Sequence, residues 1–496
     1  MDNEYVHEAV NELRKEKKAK KENEDSKKNT QEVYSEHLKE NIYLEAYYDP
    51  EKRKTGLLVC ENGSISQVSE YEFEENIYIA PPPTNPLLST GFVKLPSCSS
   101  GYGSEKELYD EIRAFLHKYV QLPEEFEEIV PWYAIFTWVF DSFRELPYLR
   151  VVGDYGCGKS RFLFIAGSVC YRPIFLNGST SVSAVFRIID EVKGTIVFDE
   201  ADFQYSDTTN DIIKILNAGF QKGTPVFRSE ESAGKKKKGK SFAPTPFDVF
   251  SPKILGTRRN FADGALESRC LTSPMIGLTR KDIPENLDEA FEKEALEIRN
   301  KLITFRFRKL SKGVQKTSLP QDLEVEPRLR QIITPVYSVI EEKEGRNAIL
   351  QFISHKQYQM VEDRFNSPEG ELFRAFLKVK EEEREPTMKA ICEEYNENFA
   401  GKYPIKSKTV GERFEQIFHL EKKRTAKGYT VFDNEHNEKQ IEKLKSKYGI
   451  EKPEMNDMNL VNQDKNIATA KDVEEIFGVK GIPEDVTKSN KNDFPL

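Results

Sequence analysis

The chain has 496 residues and a formal net charge of −9; 32% of it is charged and 38% hydrophobic. That length exceeds one ordinary core and predicts about three domains, while the acidity excludes a wholesale nucleic-acid coat protein and leaves local basic patches open. The sequence has no run of eighteen apolar residues and no apolar signal core near its start, and neither its six cysteines nor its six histidines suggest a disulfide or zinc pattern, so a reducing cytoplasm and no membrane are expected.

Residues 1–40 mix Lys and Glu almost evenly and read as a charged arm, either a solvated helix or disordered. Residues 41–100 read as a small β module: "IYLEAYY" and "TGLLVCENG" flank the turn "DPEKRK", and "EENIYIA" precedes the break "PPPTNP". Residues 101–145 form a helical lead-in. Ser104 and Glu107 suit a capping box there, and "EEIVPWYAIFTWVFDSF" is apolar on nearly every side, the pattern of a buried helix.

Residues 146–275 read as an α/β block. Leu149 to Val152 make a buried strand, "RFLFIAG" a helix, and between them Gly153, Asp154, Tyr155, Gly156, Cys157, Gly158, Lys159 and Ser160 match G-x-x-x-x-G-K-S. Glycines in that loop let backbone N–H groups converge on phosphates, and the helix N-terminus adds its dipole. Lys159 is then expected to reach the β and γ phosphates of ATP, and Ser160 to ligate Mg²⁺. Forty residues further on, "GTIVFDEAD" ends an apolar strand in Asp199 and Glu200. An acidic pair at that strand end is expected to hold Mg²⁺ through Asp199 and to polarise the attacking water through Glu200. A third strand, Val249 to Gly256, delivers Thr257, Arg258, Arg259 and Asn260, of which Thr257 and Asn260 are the candidates for sensing the γ-phosphate. Arg269 follows as an exposed arginine, either solvated or a finger that neutralises charge in a neighbour's site.

"GDYGCGKS", "IVFDEAD" and "KILGTRRNFADGALESR" in this order resemble the AAA+ ATPases of mobile elements, with the closest likeness to compact superfamily 3 helicases and to ATPases found beside phage and plasmid primase-helicases. The likeness covers about 130 residues. It implies a P-loop core, a homo-oligomeric ring, usually a hexamer, and work on DNA alongside a primase or other replication protein. It also implies Walker A roles for Lys159 and Ser160, Walker B roles for Asp199 and Glu200, and a finger role for Arg269. The helicase pattern places an Asn close behind the sensor strand, whereas here Thr257 comes first and Asn260 later.

Residues 229–246 form an excursion whose tip carries Lys235, Lys236, Lys237, Lys238 and Lys240 beside Gly234 and Gly239. The run reads either as a solvated loop or, as the resemblance implies, as a basic hairpin that grips DNA in a ring pore. Residues 276–345 read as helical. Residues 367–433 follow the order of a winged helix, with residues 407–419 as recognition helix and Lys422 to Lys427 as wing. Lys408, Thr409, Arg413, Lys422, Lys423, Arg424 and Lys427 are its candidate contacts to single- or double-stranded DNA; docking of a protein is the alternative. Residues 434–496 read as a polar tail. The fold class expected is thus an α/β P-loop core with helical segments, an N-terminal β module and a C-terminal winged helix. The expected function is a ring-forming ATPase that couples hydrolysis to DNA binding, translocation or unwinding, the alternatives being a non-processive remodeller or loader and a regulatory P-loop switch.

Overall fold

The computed structural model describes residues 29–39, 41–176, 180–199, 207–231, 242–275, 277, 279–399 and 404–450. Most of the charged arm, Glu200, the lysine run and residues 451–496 lie outside the described residues. The chain divides into a unit up to residue 359 and a second from residue 360.

The first unit opens with β1 (Asn29–Glu32), β2 (Ser35–Leu38), β3 (Ile42–Asp49), β4 (Lys54–Glu61), β5 (Ser64–Val68), β6 (Glu70–Phe73) and β7 (Asn76–Ile79). Strands β2-β3-β4-β5 make an antiparallel sheet, and β1-β7-β6 a second, in which β1 runs parallel to β7. The "DPEKRK" turn closes because the Asp49 carboxylate accepts from the N–H groups of Glu51 and Lys52 at 3.1 Å. Strands β1 and β2 correct the reading of residues 1–40 as an arm. Apart from Leu38 their side chains are polar, and most are exposed; backbone pairing rather than an apolar face makes them strands.

After α1 (Pro86–Ser89) come α2 (Glu105–Tyr119), with the Ser104–Glu107 capping box in place, and α3 (Glu124–Thr137). Helix α3 is buried on nearly all sides. Its Tyr133 hydroxyl donates to the Lys253 carbonyl at 2.9 Å, which fixes the helix against the central sheet. That sheet comprises β8 (Tyr148–Val152), β9 (Ile174–Leu176), β10 (Ile196–Phe198), β13 (Lys253–Thr257) and β14 (Cys270–Pro274), all parallel, in the order β14-β8-β13-β10-β9. Near-continuous apolar strands suit a sheet buried on both faces. Between the strands run α4 (Lys159–Ser168), α5 (Val182–Val192), α6 (Asp207–Ala218), the antiparallel hairpin β11 (Val226–Glu231) and β12 (Phe242–Phe247), and α7 (Gly264–Glu267).

Helix α8 (Glu289–Lys312) then ties the β module to the sheet. Its Arg306 donates to the Glu45 carboxylate at 2.7 Å and to Asp141 at 2.8 and 3.1 Å. Arg172 also donates to Glu45, as does the Tyr171 hydroxyl at 2.9 Å. Glu45, 3% exposed, is the hub of this network. Burial disfavours the charge on Arg306, yet Asp141, Tyr171 and Glu45 hold its pKa well above the usual arginine value. Helices α9 (Pro327–Val339) and α10 (Lys343–Phe365) follow, the latter running across the division.

The second unit holds α11 (Pro368–Glu381), α12 (Met388–Asn398), α13 (Ser407–Gln416), the hairpin β15 (Lys422–Thr425) and β16 (Gly428–Val431), and α14 (Glu435–Lys447). Phe373, Phe376, Ile391, Val410, Phe414 and Phe418 centre its core. Helix α14 corrects the reading of a polar tail from residue 434. Ile441, Leu444 and Tyr448 give an otherwise Lys- and Glu-rich segment one narrow apolar face, and that face is buried in the same core. Among the described residues no helix is long and apolar enough to cross a membrane.

Candidate functional site

The loop between β8 and α4 is built for an anion. Gly156 and Gly158 sit at φ +75° and +91°, backbone conformations that side-chain-bearing residues rarely adopt. At Gly153 a Cβ would meet the Cys157 sulfur at 2.8 Å and the Met275 carbonyl oxygen at 2.9 Å. Helix α4 starts from Gly158 with no side-chain cap and no acid in its first turn. Its leading N–H groups are therefore left for another acceptor. Lys159 folds back over the loop, its ammonium donating to the carbonyls of Gly153 at 2.6 Å and Asp154 at 2.7 Å. Arg161 anchors the same turn from behind by donating to the carbonyls of Tyr119 (2.7 Å), Glu285 (2.9 Å) and Pro284.

Asp199 follows β10, one strand removed from β8. The intervening strand makes room for it at Gly256, where a Cβ would lie 3.4 Å from the Asp199 carboxylate and 2.7 Å from Leu163 of α4. Tyr155, Gly156, Gly158, Lys159, Ser160, Asp199 and Arg258 are thereby gathered around one cavity of about 290 Å³. These groups could serve a phosphate-bearing ligand: the uncapped helix N–H groups, the ammonium and the guanidinium could meet phosphates, and the hydroxyl and the carboxylate could hold a divalent cation.

The two candidate sensors lie elsewhere. Thr257 is buried, its hydroxyl has no partner among the described residues, and its carbonyl accepts the Gly153 N–H at 3.1 Å. Asn260 accepts from Arg150 at 3.1 Å, and Arg150 is in turn held by the Glu267 carboxylate at 2.6 Å. Arg258 is the residue that lines the cavity, with its guanidinium over the Tyr155 ring. The reason is strand alternation. Position 256 faces α4 and Asp199, so 258 lies on that side and 257 on the other. Counting by twos along β13 and one residue beyond its end is the signal that finds it.

Arg269 is not presented to solvent as an exposed finger. It is 8% exposed, donates to Asn217, and lies 4.0 Å from the centroid of the Phe220 ring. It precedes β14, at the opposite end of the parallel strands from the phosphate loop, where its carbonyl accepts the Tyr148 N–H. Burial lowers its pKa. Glu200 and the five lysines lie outside the described residues, although β11 and β12 bracket the lysine run as the two arms of a hairpin.

In the second unit, α13 carries Lys408, Thr409 and Arg413, but acids answer its cations. Lys408 lies 3.9 Å from Glu412, Arg413 3.6 Å from Glu369, and Lys422 of β15 3.0 Å from Glu415. Lys427 lies 3.4 Å from Glu385. Lys423 sits over the Phe432 ring at 4.7 Å, and Arg424 has no ion-pair or hydrogen-bond partner among the described residues.

No family model and no curated protein matches this chain. It is slightly similar to several solved structures. The apo C-terminal region of NrS-1 is 10% identical, with a TM-score of 0.32, covering 79% of this chain and 96% of that one. The active helicase Cch of SCCmec type IV is 12% identical, with a TM-score of 0.35, covering 66% and 56%. The RuvB Holliday junction branch migration motor of Thermotoga maritima is 11% identical, with a TM-score of 0.19, covering 68% and 95%. Likeness this slight carries no residue roles across, so the assignments rest on the geometry of this chain.

Proposed function

We propose that the chain is an ATP hydrolase that couples turnover to DNA. The observation that carries this reading is the convergence of the uncapped N-terminus of α4, Lys159, Arg258 and Asp199 on one cavity. Lys159 and the loop N–H groups bind the phosphates, and Ser160 and Asp199 hold Mg²⁺. Arg258 meets charge that develops on the terminal phosphate, and Glu200, next to Asp199 in the chain, polarises water. Bound Mg²⁺ supplies further charge neutralisation at the phosphates. Assembly into a ring, with Arg269 offered to a neighbour, belongs to the same reading and requires that guanidinium to leave Asn217 and Phe220.

The second unit, in the helix–helix–helix–hairpin order of a winged helix, and the lysine run between β11 and β12 are the proposed DNA contacts. The reading is tested by the ATPase rate with and without single-stranded DNA, alongside the molar mass in solution. Faster turnover on DNA by an oligomer supports the motor. DNA-stimulated turnover without strand separation marks a loader or remodeller, and slow, DNA-insensitive turnover a switch.

A further inference from the structure

The hairpin of the second unit carries a feature that phosphate binding alone does not use. Residues 422–429 hold Lys422, Lys423, Arg424 and Lys427 and no acid, and within them Tyr429 is 55% exposed. Arg424 and Tyr429 are directly opposite in the antiparallel register, so their side chains share one face of the ribbon. The face changes character along its length. Val431, two residues from Tyr429, is buried, and Lys422 opposite it donates to the Gly411 carbonyl at 2.7 Å, whereas Arg424 and Tyr429 are both exposed. A large aromatic ring left in solvent beside an unpaired guanidinium is the chemistry that takes an unstacked base and its phosphate. Helix α13 offers less, because Lys408 and Arg413 already lie beside Glu412 and Glu369.

We propose that the β15–β16 hairpin binds single-stranded DNA, with a base stacked on Tyr429 and the neighbouring phosphate held by Arg424. In a duplex the bases already stack on one another, so only the phosphate contact remains. This inference rests on reading the second unit as a DNA-binding module. The test uses the full chain, a labelled oligothymidylate and a duplex of equal length, with anisotropy as readout and ATP hydrolysis measured on the same preparations. Tyr429→Ala is expected to weaken single-strand binding by about five- to a hundred-fold, and Tyr429→Trp to retain it. Neither should change duplex affinity. Arg424→Ala should weaken both and flatten the single-strand log–log salt slope by about 0.7. Unchanged single-strand affinity in Tyr429→Ala, or an equal loss on duplex, overturns the stacking while leaving the hydrolase reading intact. Tyr429-dependent strand binding by a chain that does not hydrolyse ATP supports the hairpin's role and removes the hydrolase. Failure of the unaltered chain to bind either probe overturns the hairpin site and the DNA part of the proposed function together.

Discussion

The Arg258 guanidinium lies 3.9 Å from the centroid of the Tyr155 ring, so the residue that follows β13 is stacked on the exposed tip of the glycine loop. Tyr155 is 74% exposed, which puts the pair at the mouth of the cavity that Lys159 and Asp199 line. An arginine so placed lies beside the phosphate loop, where charge on the terminal phosphate would be met. Arg258→Ala is therefore expected to lower kcat for ATP by about 10³-fold with a much smaller change in KM. Thr257→Val, which alters a buried hydroxyl outside the cavity, should leave kcat within about three-fold. Steady-state kinetics of the two variants decide the sensor, and a larger loss in Thr257→Val would reverse the assignment.

Lys159 and Asp199 face the same cavity with opposite charges, and their removal should separate binding from chemistry. Lys159→Ala takes the only ammonium from the loop and should abolish binding of a fluorescent ATP analogue. Asp199→Asn keeps the shape and loses the carboxylate, so nucleotide should still bind while Mg²⁺-dependent turnover falls by about two orders of magnitude or more. Equal losses of binding in both variants would mean that Asp199 supports the fold of the loop rather than the metal.

The phosphate loop was legible in the sequence because its chemistry is written in consecutive residues: a strand, glycines at fixed spacing, then Lys159 and Ser160. Arg258 is within reach of strand alternation, but Thr257 is the first polar residue after the apolar run and draws the sensor reading first. Strands β1 and β2 and helix α14 escaped because polar segments with few apolar residues look alike whether they pair, pack or stay in solvent. The Glu45–Arg306 contact could not be read at all. Its partners are 261 positions apart, and nothing local to either distinguishes a buried charge from a solvated one.

That contact joins the β module to α8, and it should matter for stability out of proportion to its size. Glu45→Gln keeps the volume but leaves Arg172 and Arg306 buried with less compensating charge. A loss of about 3–5 kcal/mol is expected, since breaking a buried ion pair strands its partner. Replacing Glu45 and Arg306 together with Met should cost less than the sum of the two single changes. Thermal melting of the single and double variants gives the comparison, and strict additivity would show that the network is not coupled.

Lys253, in β13, is fully buried, and among the described residues its ammonium nitrogen reaches only neutral acceptors: the carbonyls of Ser251 (2.8 Å), Gly219 (3.2 Å) and Val249 (3.3 Å), and the Ser251 hydroxyl (3.2 Å). Burial presses its pKa well below the ordinary 10.5, opposed only by the charge of Asp248. The sign of the pH dependence follows. Between the depressed value and 10.5 the unfolded chain holds a proton that the folded chain lacks, so stability rises with pH there and is flat below. The slope from this one group is at most about 1.4 kcal/mol per pH unit. Lys253→Met carries no such proton, so the stability of the unaltered chain relative to the variant should increase as the pH rises from the depressed value towards 10.5. Tyr133, Tyr148 and Cys270 also titrate higher in the folded chain, but both proteins contain them and their contribution cancels in the difference. Melting of the two proteins across that range measures the effect, and a difference that stays constant with pH would mean that Lys253 keeps its proton inside the sheet.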